Sequence, residues 1–181
     1  MARRTYVVVL GSGTRDGALS LERREWLAKK TSFQGVLLND HAEYRVIRGI
    51  DRIRVLQQRG EEVGGMLFTS GFDGRITAET IAEAMARYAN AIFIEAERDE
   101  HGTLMRVPLI ANDDGRVRGL RKEMAWACDR VHETCGILYR TRLEFVAEPW
   151  ETFLVPIVNY FAMRMPDCWA LPVREPSILG N

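Results

Sequence analysis

MLFTSGFDGRITAETIAEAMARY, residues Met66–Tyr88, decides how the rest of the chain is read. Its opening Met-Leu-Phe-Thr is an apolar run of strand length. Ser70-Gly71-Phe72-Asp73-Gly74-Arg75 follows, a loop of glycines and small polar residues. Thr77 or Thr80 then offers a helix cap, and Ile81, Ala84, Met85 and Tyr88 recur at helical spacing. A strand that enters a helix through such a loop aims backbone N–H groups and the positive end of the helix dipole at one place, which suits an anion. A plain turn uses the same glycines, so the reading gains weight only because the arrangement recurs along the chain.

Upstream, Thr5–Leu10 (TYVVVL) is a β-branched run that predicts a central strand. It ends in Gly11-Ser12-Gly13-Thr14-Arg15-Asp16-Gly17, another flexible polar loop. The third glycine of a dinucleotide fingerprint is absent, because position 16 is Asp. A helical stretch is expected over about 20–30, and a longer helix over about His41–Arg59 with the stripe Val46, Ile47, Ile50, Ile53 and Leu56. The arginines of that helix, Arg45, Arg48, Arg52, Arg54 and Arg59, read mainly as a solvated face, and one near its start can reach back toward the loops.

Downstream, Ala91–Glu95 (AIFIE) and Arg106–Ala111 (RVPLIA) are strand-like, and Asn112–Arg118 is a polar loop. A helix is expected from about Val117 to His132, with Met124 and Trp126 facing the core. Cys128 and Cys135 read as small buried hydrophobes. A further strand is expected at Leu143–Ala147, and 166–181 reads as an extended tail. With no internal repeat or linker, residues 1–181 read as a single domain.

Alternating strands and helices predict a three-layer, Rossmann-like α/β domain with a mainly parallel sheet of about five strands. Tyr6–Leu10, Met66–Thr69, Ile92–Glu95 and Val107–Ala111 are expected as adjacent members of it. In such sheets the loops leaving the carboxyl ends of the strands build the ligand crevice. Gly11–Asp16, Ser70–Arg75, Glu95–Asp99, Asn112–Arg118 and Glu148–Glu151 would then gather at one edge.

Composition sets the outer bounds. The 181 residues are 46% hydrophobic and 28% charged, which suits a globular core. Lys+Arg and Asp+Glu balance at 25 each, so no global field recommends nucleic acid or an anionic membrane. Three cysteines form neither a zinc spacing nor an even disulfide framework, which favours a reducing, cytoplasmic setting. The apolar run after the basic start is too short for a signal peptide, and no segment has the length of a membrane span. His41, His101 and His132 offer no zinc spacing, and Asp113-Asp114 before Gly115 reads as a turn, so no metal site is expected.

The order VVVLG, RVIRGIDRIRVLQQRG, MLFTSGF, TIAEAMARY, IFIEAERD and LIANDDGRVRG resembles the YdcF/SanA/ElyC-type family, a Rossmann-like domain. Leu10-Gly11, Ser70-Gly71, Thr80, Ala82, Met85, Tyr88, Glu95 and Arg118-Gly119 sit at or near matching places. Phe72 stands where the second glycine of Ser-Gly-Gly would be, and Gly115 falls near the expected His. The resemblance implies a nucleotide-like ligand such as S-adenosylmethionine, and a ligand-facing arginine at Arg118.

The function expected is therefore a cytosolic protein or enzyme acting on a nucleotide-like or phosphorylated small molecule. Gly11, Ser12, Gly13, Arg15, Ser70, Gly71, Asp73 and Arg118 are the candidate ligand-binding residues. Arg118 would supply a bidentate charge, and Glu79 or Glu95 a hydroxyl acceptor or general base. Two alternatives stand beside this reading. One is a nucleoside-processing transferase or hydrolase with a buried Glu nucleophile. The other is a catalytically silent interaction module, for which Trp150, Phe153, Tyr160 and Phe161 would supply a contact surface or homodimer packing.

Overall fold

The computed structural model describes residues 4–11, 38–70, 80–98, 104–117, 119–135, 141–146 and 168–172, without the side chains of 98, 120, 135 and 168–172. Within them lie β1 (Arg4–Leu10), α1 (Asp40–Gln58), β2 (Glu62–Thr69), α2 (Ile81–Arg98), β3 (Leu109–Ala111), α3 (Leu120–Cys135), β4 (Thr141–Val146) and β5 (Cys168–Pro172). The strands form one five-stranded sheet in the order β3-β2-β1-β4-β5. Every neighbouring pair is parallel. The expected Rossmann-like α/β architecture is therefore present.

Strand alternation sorts the core into two layers. Val7 and Val9 of β1, with Met66 and Phe68 of β2, pack against Ala42, Val46, Ile50, Ile53 and Leu56 of α1 and Met85, Ala89 and Phe93 of α2. Tyr6, Val8 and Leu10, with Leu67, Leu143 and Phe145, meet Met124, Ala127, Cys128 and Val131 of α3 on the other face. Burial of β1 on both faces explains its unbroken apolar run. The stripe expected on α1 holds except at Ile47, which is 42% exposed because it falls one step past Val46 on the helical wheel.

Ile92–Glu95 is not a strand. The segment belongs to α2, whose apolar positions Ile81, Met85, Ala89 and Phe93 continue at helical spacing with no Gly or Pro to interrupt them. The β-branched residues of AIFIE suggest a strand locally, but the stripe that reaches Phe93 overrides that preference. The fifth strand comes instead from the segment read as an extended tail, since β5 pairs with β4 from Cys168 to Pro172. β3 is shorter than expected and half-buried, as suits an edge. Pro108 lacks an N–H and precedes its first residue, while its carbonyl accepts the Met66 N–H at 2.9 Å.

Both long connections into helices are capped as their sequences suggest. Asn39 accepts the Ala42 N–H at 2.7 Å and starts α1. Thr80 starts α2 through a capping box: its hydroxyl accepts the Glu83 N–H at 3.1 Å, and Glu83 accepts the Thr80 N–H at 2.6 Å.

One charged cluster lies inside the fold. Glu144 of β4 is 1% exposed and receives both Arg52 Nε at 2.5 Å and Arg52 Nη2 at 3.0 Å. Arg142 Nη2 adds a third contact at 2.6 Å. Arg52 is thus a part-buried partner of that carboxylate, not part of a solvated face. Among the described residues, no helix is long and apolar enough to cross a membrane.

Candidate functional site

The strand order reverses at β1. The chain moves from β1 to β2 and β3 on one side, then crosses to β4 and β5 on the other. A parallel sheet opens its ligand crevice at the carboxyl end of such a strand. Leu10 and Gly11 occupy that end here, and Thr69 and Ser70 end the neighbouring β2.

Gly11 and Ser70 approach closely. A Cβ built on Gly11 would lie 2.3 Å from the Ser70 Cβ and 2.7 Å from the Thr69 carbonyl oxygen, so only glycine fits. Ser70 has a φ of +153°, a conformation that non-glycine residues rarely adopt. Backbone strain thus sits at the exit of β2, beside the exit of β1.

Glu123 reaches this point from the first turn of α3. It is 7% exposed, and its Oε2 accepts the Thr69 hydroxyl at 2.9 Å. Its own N–H donates to the Gly119 carbonyl at 3.1 Å. Burial raises the Glu123 pKa above the ordinary carboxylate value; the Thr69 bond, the nearby Gly11 and Gly119 backbone and the Arg45 charge oppose that rise without cancelling it.

Arg45 arrives from α1 on the other face of the sheet. It is 5% exposed, and its Nη1 donates to the Leu10 carbonyl at 3.2 Å and the Gly11 carbonyl at 3.3 Å. This is the arginine near the helix start that the sequence allowed to reach back.

The exit of β3 joins the same edge. Asn112 is buried, its N–H donating to Phe68 O at 3.0 Å and its carbonyl accepting the Thr80 hydroxyl at 2.7 Å. One threonine therefore caps α2 and ties it to the end of β3. The Asn112 Oδ1 accepts the Asp114 N–H at 3.0 Å, and Asp114 in turn accepts the Arg116 N–H at 2.9 Å. The aspartates before Gly115 do build a turn. Arg116 pairs with Asp114 at 3.0 Å and holds its carboxyl below the usual range. Among the described residues, no group of three or more His, Cys, Asp or Glu side chains is arranged to hold a metal ion.

Of the candidate residues, Gly11 and Ser70 lie at the carboxyl edge, and the Gly11 carbonyl is already engaged by Arg45. Glu95 does not lie there. α2 starts at the carboxyl edge, and Glu95 is exposed about 20 Å further along its axis, toward the amino ends of the strands. Glu83, in the first turn of α2, is the nearer of the two. Ser12, Gly13, Arg15, Gly71, Asp73, Glu79 and Arg118 lie outside the described residues.

No family model, curated protein or solved structure matches this chain. The site therefore rests on its own geometry. Glu123, Thr69 and Asn112 are polar residues of this edge that are not among the candidates read from the sequence, which allowed for Arg45 only as an arginine near a helix start. Glu123 had a signal, an acid in the first turn of a helix that follows a strand exit. Asn112 had another, since it directly follows a strand. Neither signal reveals burial, which is what distinguishes them.

Proposed function

We propose that the protein binds a small nucleotide-like or phosphorylated ligand over the carboxyl edge of its sheet, as a cytoplasmic, divergent relative of the YdcF/SanA/ElyC-type domains. The observation that carries the reading is the burial of two charged side chains at the strand exits where the sheet order reverses, Glu123 on the Thr69 hydroxyl from one face and Arg45 on the Leu10 and Gly11 carbonyls from the other. Buried charges at a strand exit cost desolvation energy, and perturbed carboxyls concentrate at functional sites. The strained Ser70 beside them adds to the same argument. A nucleotide-like molecule, S-adenosylmethionine included, offers hydroxyl groups to a carboxylate and charge to the surrounding donors.

The test is a thermal-shift screen of the full chain against nucleotides, S-adenosylmethionine and sugar phosphates. A ligand at a hundred times its Kd stabilises the folded state by about 2.7 kcal/mol, a shift of several degrees for a protein of this size. Silence across all three classes removes the reading.

A second reading is favoured by one observation alone. A buried glutamate that keeps its proton above the ordinary range suits the general acid of a nucleoside-processing hydrolase, which protonates the leaving base, and Glu123, at the carboxyl edge on the Thr69 hydroxyl, would take that role in place of Glu95. Release of free base from nucleosides, abolished by Glu123→Gln, would select it.

A further inference from the structure

We propose that the protein binds one buried water molecule between β1, β4 and α1, held by the Thr5 hydroxyl, the Arg142 Nε–H and the Glu144 carboxylate. The site lies toward the amino ends of the strands, apart from the carboxyl-edge crevice, and it does not rest on the ligand-binding reading.

The parallel ladder brings these groups together. Thr5 of β1 is paired with Arg142 of β4, and two residues further along Val7 is paired with Glu144. Alternation along β1 puts Thr5 on the face of Val7 and Val9, which pack against α1. Glu144 lies on that face too, since it receives Arg52 from α1. Thr5 is 0% exposed and Glu144 1%, so the water would be sealed from solvent.

The way the charges pair explains what is left over. An arginine fork fills both oxygens of a carboxylate through two parallel N–H bonds. Arg52 does so, with Nε on Glu144 Oε2 at 2.5 Å and Nη2 on Oε1 at 3.0 Å. Arg142 shares the same carboxylate from its own strand. Its Nη2 reaches Oε1 at 2.6 Å, and its Nη1 lies 3.9 Å from Glu61. Oε2 is held by Arg52, and the Arg142 Nε–H has no part in it. Among the described residues, neither Arg142 Nε nor Thr5 Oγ1 has a hydrogen-bond partner, although both atoms are buried.

Two such atoms on facing residues, beside a carboxylate, supply the about three polar partners that an internal water takes. The water accepts the Arg142 Nε–H, exchanges a hydrogen bond with the Thr5 hydroxyl and donates to Glu144. An anion would accept from the same donors, but the Glu144 carboxylate on the same guanidinium repels it. A small neutral molecule that both donates and accepts fits where an anion does not. Through it the hydroxyl of β1 joins the cluster that fastens α1 to β4.

The experiment uses the full-length 15N,13C-labelled protein without any ligand. A rotating-frame Overhauser spectrum should show a cross-peak from water to the Arg142 Hε, with the sign of a bound water and not that of proton exchange. The cross-peak should persist in Thr5→Ser, which keeps the hydroxyl, and vanish in Thr5→Val. Thr5→Val should also lower the urea midpoint, because the water loses a partner. A hydroxyl buried without any partner gives the opposite result, since a methyl of the same shape then replaces a desolvated polar group. A wild type without the cross-peak, a cross-peak retained in Thr5→Val, or a raised midpoint in that variant each overturns the proposal. Should Thr5→Val fail to fold, the wild type and Thr5→Ser decide: the cross-peak in both supports the water, and its absence from either overturns it.

Discussion

At the residue scale, Glu123 carries the clearest pH prediction. Its folded-state pKa is raised by burial, so the folded protein keeps the proton at pH values where the unfolded chain has released it. The stabilisation this provides is fully present below the unfolded carboxyl pKa and is lost as pH rises through the folded one. Urea melts of wild type and Glu123→Gln should show the wild type faring better relative to the variant near pH 4 than near pH 7. A relative gain for the wild type toward neutral pH would contradict the burial argument. Gly11 makes a steric prediction beside it. Gly11→Ala drives a Cβ into Ser70 and the Thr69 carbonyl, so it should cost about 1–3 kcal/mol, the usual range for overpacking. Ser70→Gly removes the obstructing Cβ and relieves the positive φ, and should recover part of that loss in the double variant.

At the scale of elements, Thr80 joins the start of α2 to the exit of β3. Its hydroxyl accepts from Glu83 and donates to the Asn112 carbonyl, so one side chain serves two partners. Thr80→Ala should cost about 1–2 kcal/mol, the upper part of the range for a lost helix cap, because a buried carbonyl also loses its donor. Thr80→Ser keeps both bonds and should cost clearly less. Equal losses in the two variants, read from denaturant midpoints, would show that packing of the threonine methyl matters and the bonds do not.

At the scale of the whole molecule, the Arg52–Glu144 pair fastens α1 to β4 across the sheet. Glu144 also holds Arg142 on its own strand. Glu144→Ala leaves the part-buried Arg52 guanidinium without this carboxylate and should destabilise by roughly 2–4 kcal/mol, somewhat below the range for a fully buried pair. Truncating both residues, Glu144→Ala with Arg52→Leu, should recover part of that loss, since of the two arginines that Glu144 holds only Arg142, with Glu61 at 3.9 Å, is then left without it. A double variant that simply sums the two single losses would mean that the pair is not coupled.

The sequence by itself determined the alternation of strands and helices, and through it the parallel sheet. TYVVVL, MLFT and LEFVA are short apolar runs that periodicity and length identify without tertiary information. The exits at Gly11, Ser70 and Asn112 were legible for the same reason, because small polar residues follow those runs directly. Two things needed the tertiary structure. AIFIE reads as a strand over five residues, and only the stripe continuing from Ile81 to Phe93 against the sheet decides for helix, carrying Glu95 away from the crevice. Burial of individual charges was likewise invisible. Arg45, Arg52 and Arg54 share one helix and one side-chain chemistry, yet Arg45 caps carbonyls, Arg52 holds Glu144 and Arg54 forms only a half-exposed pair with Asp51. Which of them leaves water depends on what lies across from each, and that is a property of strands far away in the chain. Glu123 is the same case: an acid in the first turn of a helix is a local fact, but its desolvation at the meeting of β1, β2 and α3 exists only in the folded sheet.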